Sequence, residues 1–183
     1  RCRLWNDALI TLDRAVKAKV IDKSAALDDR AALYCTLGDM AKEGARAGEA
    51  LEFYKKAFGV RPDFIPAVQR LCQFYIDTGL EKKALSILTK AWKANAHPDL
   101  VPLWARLRPV KKNTHTGARY NWFDYVAKFH PNSIVAVTAL AQAAIDDGLW
   151  GEARAALARA EKISPTQDVY KLWVTLEEQT SNR

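Results

Sequence analysis

"IDTGLEKKAL" (76–85) and "IDDGLWGEAR" (145–154) are nearly one phrase written twice. Both run I-D-x-G-L, then three variable positions, then Ala. The second copy starts one position beyond two periods of about 34, and the single period is also populated. Leu37, Gly38, Ala50, Tyr54, Ala57 and Pro62 recur one such period later as Leu71, Cys72, Ala84, Leu88, Ala91 and Ala96. A downstream copy supplies Leu140, Ala141, Gly148, Ala153, Leu157, Ala160 and Pro165. A half copy opens the chain, where "LWNDALITLDRA" (4–15) aligns without gaps on "LWGEARAALARA" (149–160).

A period of about 34 residues with these spacings is the tetratricopeptide repeat (TPR) pattern, in which each unit is a helix–turn–helix. The expected fold is therefore all-α, a TPR-type α-α superhelix. It is a right-handed solenoid treated as a single domain over 1–183, with an irregular unit at about 98–131. Small residues at the Leu-Gly/Ala pair of helix A, and at the Ala of helix B, let the two antiparallel helices approach closely. Gly79 and Gly148 fall between the helices, where a left-handed residue closes helix A without a Cβ penalty. Proline at the end of the period stops helix B. The residue after that position (Asp63, Asp99, Asn132, Thr166) can then cap the next helix A. The register predicts helices at about 4–18, 24–42, 46–59, 64–78, 81–94, 99–107, 118–129, 133–147, 150–162 and 166–179, and no strand.

Two stretches break the period. Ala8 to Ala50 exceeds one period by roughly eight residues, and the excess lies in "IDKSAALD" (21–28). Its helical composition predicts that the second helix begins about two turns early, roughly 12 Å of extra length. The second break is "LWARLRPVKKNTHTGARYNWFDYVAKFHP" (103–131), where Pro109 cuts helix A short and a polar loop replaces the consensus.

This irregular stretch holds Arg106, Arg108, Lys111, Lys112, Arg119 and Lys128 against Asp124 alone, a net +5 of the chain's +7. Trp104, Tyr120, Trp122, Phe123, Tyr125 and Phe129 are interleaved with the cations. Arg106, Arg108, Lys111, Lys112 and Arg119 form a candidate basic patch for an anion or an acidic partner, on one exposed face because so many cations cannot be buried unpaired. The other reading is a solvated loop whose aromatics pack beneath it. Trp122, Phe123 and Val126 keep helical spacing and belong to a core. Basic residues this few, with no recognised nucleic-acid module, argue against nucleic acid as a partner.

Helix A positions that point into a TPR superhelix hold extended peptides. By the register these are Cys35 and Asp39, Gln69 and Gln73, and Thr138 and Gln142. A clamp for a C-terminal carboxylate would need Lys or Arg with Asn there, since their donors must converge on one anion. That set is missing, so the groove is polar and barely charged.

No enzyme is indicated. His97 and His130 each precede a proline at a helix boundary, and His115 lies in the basic loop. No Ser-His-Asp order or Gly-rich phosphate loop is present. The pairs Asp28/Asp29, Asp146/Asp147 and Glu177/Glu178 read as exposed helix faces or ends. Cys2, Cys35 and Cys72 form no C-x-x-C and, with three histidines, no zinc cluster. Cys35 and Cys72 read as small hydrophobes of helix A, as in a reducing compartment. No apolar run is long enough to cross a bilayer, so the chain is expected to be soluble as given. It starts at Arg1 without Met or a signal peptide, as a piece of a longer protein would, and flanking segments could hold an anchor.

Several phrases resemble the HemY family, TPR proteins associated with proteobacterial haem biosynthesis. They are "VIDKSAALDDRAALY" (20–34), "RPDFIPAVQRLCQFYIDTGLEKKALSILTKAWKANAHPDL" (61–100), "WARLRP" (104–109) and "SPTQDVYKLWVTLEEQ" (164–179). The resemblance implies the soluble part of a bacterial inner-membrane protein, on the cytoplasmic face, anchored through a segment absent from this chain. It implies a non-catalytic role in organising or regulating late protohaem synthesis, with protein partners that include enzymes of that pathway. It carries over no catalytic residue, no metal and no required cofactor. Two alternatives stand beside it. One is a generic TPR adaptor unrelated to haem. The other is a tetrapyrrole-binding carrier, with haem held by the cations and aromatic faces of 104–130.

Overall fold

A computed structural model describes residues 2–107 and 117–181, the side chains of residues 2 and 3 excepted. Every regular element among the described residues is helical, as the repeat register requires. The chain divides into two compact units, Arg1–Ala94 and Asn95–Arg183.

The first unit holds α1 (Cys2–Lys17), α2 (Ala26–Glu43), α3 (Ala47–Val60), α4 (Ile65–Asp77) and α5 (Glu81–Ala94). Helices α2 and α3 form one antiparallel hairpin and α4 and α5 the next, with α4 packed on both α2 and α3. The repeat positions are the core. Ala50, Tyr54 and Ala57 of α3 are buried, as are Ala84, Leu88 and Ala91 of α5. The Cys72 thiol approaches the Ala84 carbonyl at 3.6 Å, placing the small residue of helix A against the small residue of helix B.

The second unit opens with a single 3-10 turn, Pro98–Leu100, that runs into α6 (Val101–Arg106). Then come α7 (Ala118–Ala127), α8 (Ile134–Asp146), α9 (Trp150–Ile163) and α10 (Gln167–Ser181). Helix α8 packs against α7, α9 and α10. Ala141, Ala153, Leu157 and Ala160 are all fully or almost fully buried, in the register the alignment sets.

Gly79 and Gly148 have φ of +74° and +71°. At each, the helix closes with two bonds of a Schellman motif. Leu80 N–H donates to the Tyr75 carbonyl (2.7 Å) and Gly79 N–H to Ile76 (3.1 Å). Leu149 N–H donates to Ala144 (2.9 Å) and Gly148 N–H to Ile145 (3.0 Å). The same motif ends α2, but there Ala45 holds the left-handed position at φ +57°, while the neighbouring Gly44 has φ −80°.

Three local expectations need correction. Helix α2 does not begin two turns early. It starts twelve residues before Gly38, where α4 and α8 start seven before Cys72 and Ala141. The extension is thus five residues, roughly 7.5 Å. Asp22 takes up the rest by accepting hydrogen bonds from the Ser24 N–H (2.9 Å) and hydroxyl, a local turn that competes with helix. Those bonds also hold its carboxyl below the usual range. The capping residues differ too. Phe64 and Ser133 occupy the N-caps of α4 and α8 without a side-chain bond, and Asp63 instead binds Arg61 at 2.7 Å. The Asp99 N–H donates to His97 Nδ1 at 3.2 Å, so His97 is the cap of the 3-10 turn. Thr166 accepts from its helix as expected, at 3.5 Å from the Val169 N–H. Finally, Cys35 is buried with Ala57 and Ala67 beneath Tyr34 and Phe64, so its thiol faces the core rather than a groove.

Candidate partner-binding groove

The inward register position is occupied by Asp39, Gln73 and Gln142 in the A helices α2, α4 and α8. Gln73 donates to Asp77 and Gln142 to Asp146, each from Nε2 at 2.7 Å, so two repeats share the same i to i+4 polar pair. Asp39 behaves differently. It accepts from the Tyr54 hydroxyl at 2.9 Å and from Arg70 Nη2 at 2.7 Å, tying α2, α3 and α4 together. Burial and the Asp39 hydrogen bond push the Tyr54 phenol up, and the same carboxylate holds Arg70 protonated. Asp39 is therefore committed to its own unit. Gln69 sits half-buried on α4, one turn ahead of Gln73.

The second unit places its expected residues on two adjacent grooves. One, of about 500 Å³, is lined by Pro98, Val101, Pro102, Ile134, Val135, Thr138, Ala139, Thr166 and Asp168. The other, of about 410 Å³, is lined by Val101, Pro102, Ala105, Arg119, Phe123, Ala139, Gln142, Ala143 and Asp146. Val101, Pro102 and Ala139 belong to both, so the two form one trough along α6 and α8. The Thr138 hydroxyl donates back to the Ile134 carbonyl at 2.7 Å, which leaves its methyl for the trough. Small side chains at Ala105, Ala139 and Ala143 make room above the backbone. Polar groups stand at the ends: Gln142, Arg119 and Asp146 at one, Thr166 and Asp168 at the other.

Of the candidate basic patch, Arg108, Lys111 and Lys112 lie outside the described residues, as do Pro109 and His115. Arg106 is exposed at the end of α6. Arg119 lines the trough and pairs with Asp146. The aromatics of this stretch form a ladder. Trp104 is fully buried, and its carbonyl, at the end of a six-residue helix, accepts the Trp122 indole N–H at 2.8 Å. Trp122 stacks on Tyr125, which meets Phe129 edge-on. Trp104 and Trp122 also meet edge-on, with ring centroids 5.7 Å apart.

Sequence reading missed the role of Asp147. Its carboxylate accepts from the backbone N–H of Arg119 (2.8 Å) and Tyr120 (2.9 Å), capping α7 from the end of α8. The signal was available, because α7 begins after Gly117 and has no acid in its first turn. A helix start without a local acceptor must find one elsewhere.

The Tetratricopeptide repeat family model matches residues 42–107. No curated protein matches the chain. Among solved structures, similarity is found to TTC0263, a thermophilic TPR protein of Thermus thermophilus. It is 15% identical with a TM-score of 0.49, covering 82% of each chain. YrrB, described as a TPR protein with an unusual peptide-binding site, is 17% identical with a TM-score of 0.43, covering 94% of this chain and 84% of its own. MamA MSR-1 C2 is 18% identical with a TM-score of 0.40, covering 87% and 86%. Among the described residues no helix is long and apolar enough to cross a membrane. The described residues thus form helical hairpins throughout, and residues 42–107 of them match the tetratricopeptide repeat model.

Proposed function

We propose that the chain is a non-catalytic protein-interaction scaffold that takes an extended segment of a partner protein in the trough of the second unit. The observation that carries this is the continuity of the two grooves through Val101, Pro102 and Ala139. An apolar floor of small side chains admits the bulkier side chains of an extended segment. The Gln142 carboxamide and the polar ends can meet its main-chain groups.

The partner class follows from the HemY-like phrases of 20–34, 61–100, 104–109 and 164–179. On that resemblance the partners are enzymes of late protohaem synthesis, met at the bacterial inner membrane. The test uses the immobilised full chain and its Ala139→Arg variant, each challenged with purified late-pathway enzymes. Retention by the wild type, lost in the variant at unchanged helicity, is expected. Retention by neither form overturns the haem link, and equal retention by both overturns the trough. Titration with haem, followed in the visible, separates the carrier alternative: a saturable stoichiometric band would replace the scaffold reading with a tetrapyrrole-binding one.

A further inference from the structure

Helices α3, α5 and α9 hold the same place in their hairpins, and α5 differs from the other two in charge. Lys55 of α3 pairs with Glu52, Arg46 at its start pairs with Glu49, and Arg154 of α9 pairs with Glu177 of α10. Helix α5 instead carries Lys82, Lys83, Lys90 and Lys93, with Glu81 as its single acid. All four lysines are exposed. Lys83 lies over the Tyr75 ring at 5.7 Å, and Lys82 and Lys90 have no ionic partner among the described residues.

The spacing gathers these cations on one side. With 3.6 residues to the turn, Lys82, Lys83, Lys90 and Lys93 fall within an arc of about 100° and extend about 16 Å along the helix. Ala84, Leu88, Ala91 and Trp92 take the opposite side and are buried. Ser86 stands within the row, and Glu81 falls outside the arc. Lys90 and Lys93 are three residues apart, a like-charge spacing that weakens an isolated helix. The core side of α5 gains nothing from it. The result is a straight row of positive charge that points away from the core, with no acid in it.

The composition of the row selects among anionic partners. Protein interfaces are anchored by aromatic, methionine and arginine side chains and are poor in lysine, and the arc holds none of those anchors. The phosphates of a nucleic-acid duplex wind away from a straight row. A flat sheet of diffuse negative charge meets all four lysines at once, and a lysine, as a point charge on a long flexible stem, suits it. We propose that the outer face of α5 is a docking surface for an anionic lipid bilayer. No apolar side chain stands within the arc, so the attraction is electrostatic, without insertion, and weakens with salt. This face shares no residue with the trough, and its failure would leave the peptide reading untouched.

Cosedimentation of the full chain with lipid vesicles tests the proposal. One set is made of equal parts phosphatidylglycerol and phosphatidylcholine, the other of phosphatidylcholine alone. The wild type is expected to bind the mixed vesicles at low ionic strength, to leave them as salt rises, and to ignore the neutral ones. Lys82→Gln with Lys90→Gln should bind about tenfold or more weakly. Lys55→Gln with Lys162→Gln removes the same charge from exposed positions on other helices and should change binding much less; circular dichroism checks that both variants stay helical. A wild type that binds neither vesicle overturns the proposal. An equal loss in the two double variants overturns it too, since net charge and not the row would then be at work. Binding to polyglutamate or to a duplex oligonucleotide that depends on Lys82 and Lys90, with none to the mixed vesicles, would give the row to a protein or nucleic acid and overturn the lipid assignment.

Discussion

At Gly38 a Cβ would lie 2.4 Å from Cε1 of the Tyr54 ring. The ring cannot easily yield, because its hydroxyl is bonded to Asp39. The repeat alignment marks this position as small, with Cys72 and Ala141 as its equivalents. It does not say why the smallest residue is here. The cause is across the hairpin, where Tyr54 replaces Leu88 and Leu157. Gly38→Ala should therefore destabilise by roughly 1–3 kcal/mol despite alanine's better helix propensity. Added to Tyr54→Leu, the same change should cost much less, and urea unfolding of the four forms measures the difference. Ala45 presents the reverse case, since its φ of +57° is one that glycine adopts without penalty. Ala45→Gly should raise stability by about 0.5–1 kcal/mol, read as a higher urea midpoint at unchanged slope. Burial pushes the Cys72 thiol up to about 12, against 9.0 for an ordinary thiol. The unfolded chain then releases this proton first, so stability from this group is intact below pH 9.0 and is lost as pH rises toward about 12. Over that range the wild type should lose ground to Cys72→Ala, and equal slopes for the two would contradict it.

Helix α7 shows how an element can depend on a residue from another helix. Gly117, at φ +90°, delivers the chain to α7 and has no side chain to cap it. Asp147, next to the left-handed Gly148, satisfies two of the exposed N–H groups and places a negative charge at the positive end of the helix. Asp147→Ala should cost about 0.5–2 kcal/mol, with faster amide exchange in α7 than in α9. Equal exchange in both helices, before and after substitution, would contradict this role. In the repeat phrase Asp147 stands opposite Thr78, whose hydroxyl bonds back to its own helix at Phe74 and Tyr75. The period thus conceals the difference: helix positions and A–B turns follow from self-similarity, while a cap received from a neighbouring hairpin does not. The same holds for α2, whose early start was legible in the surplus residues but whose first residue was decided by the Asp22 turn.

At the scale of the molecule, the repeat explains the helical architecture of the described residues, and departures from the repeat mark where function is sought. Thr138 and Gln142 were identifiable as trough residues from register alone, since register fixes the face of a helix. The apolar floor was not, because Val101, Pro102 and Ala105 belong to the unit that lost the consensus, where the 34-residue register no longer fixes which face a residue takes. Asp39 had the right register and a different task, because Arg70 and Tyr54 engage its carboxylate. The most direct test of the account is selection of short unstructured peptides from a random display library against the chain. The account predicts that peptides enriched on the wild type lose binding to Ala139→Arg. They should keep it on Lys82→Glu, a change on the exposed face of α5 in the other unit. Peptides bound equally by wild type and Ala139→Arg, with both forms folded, would contradict it.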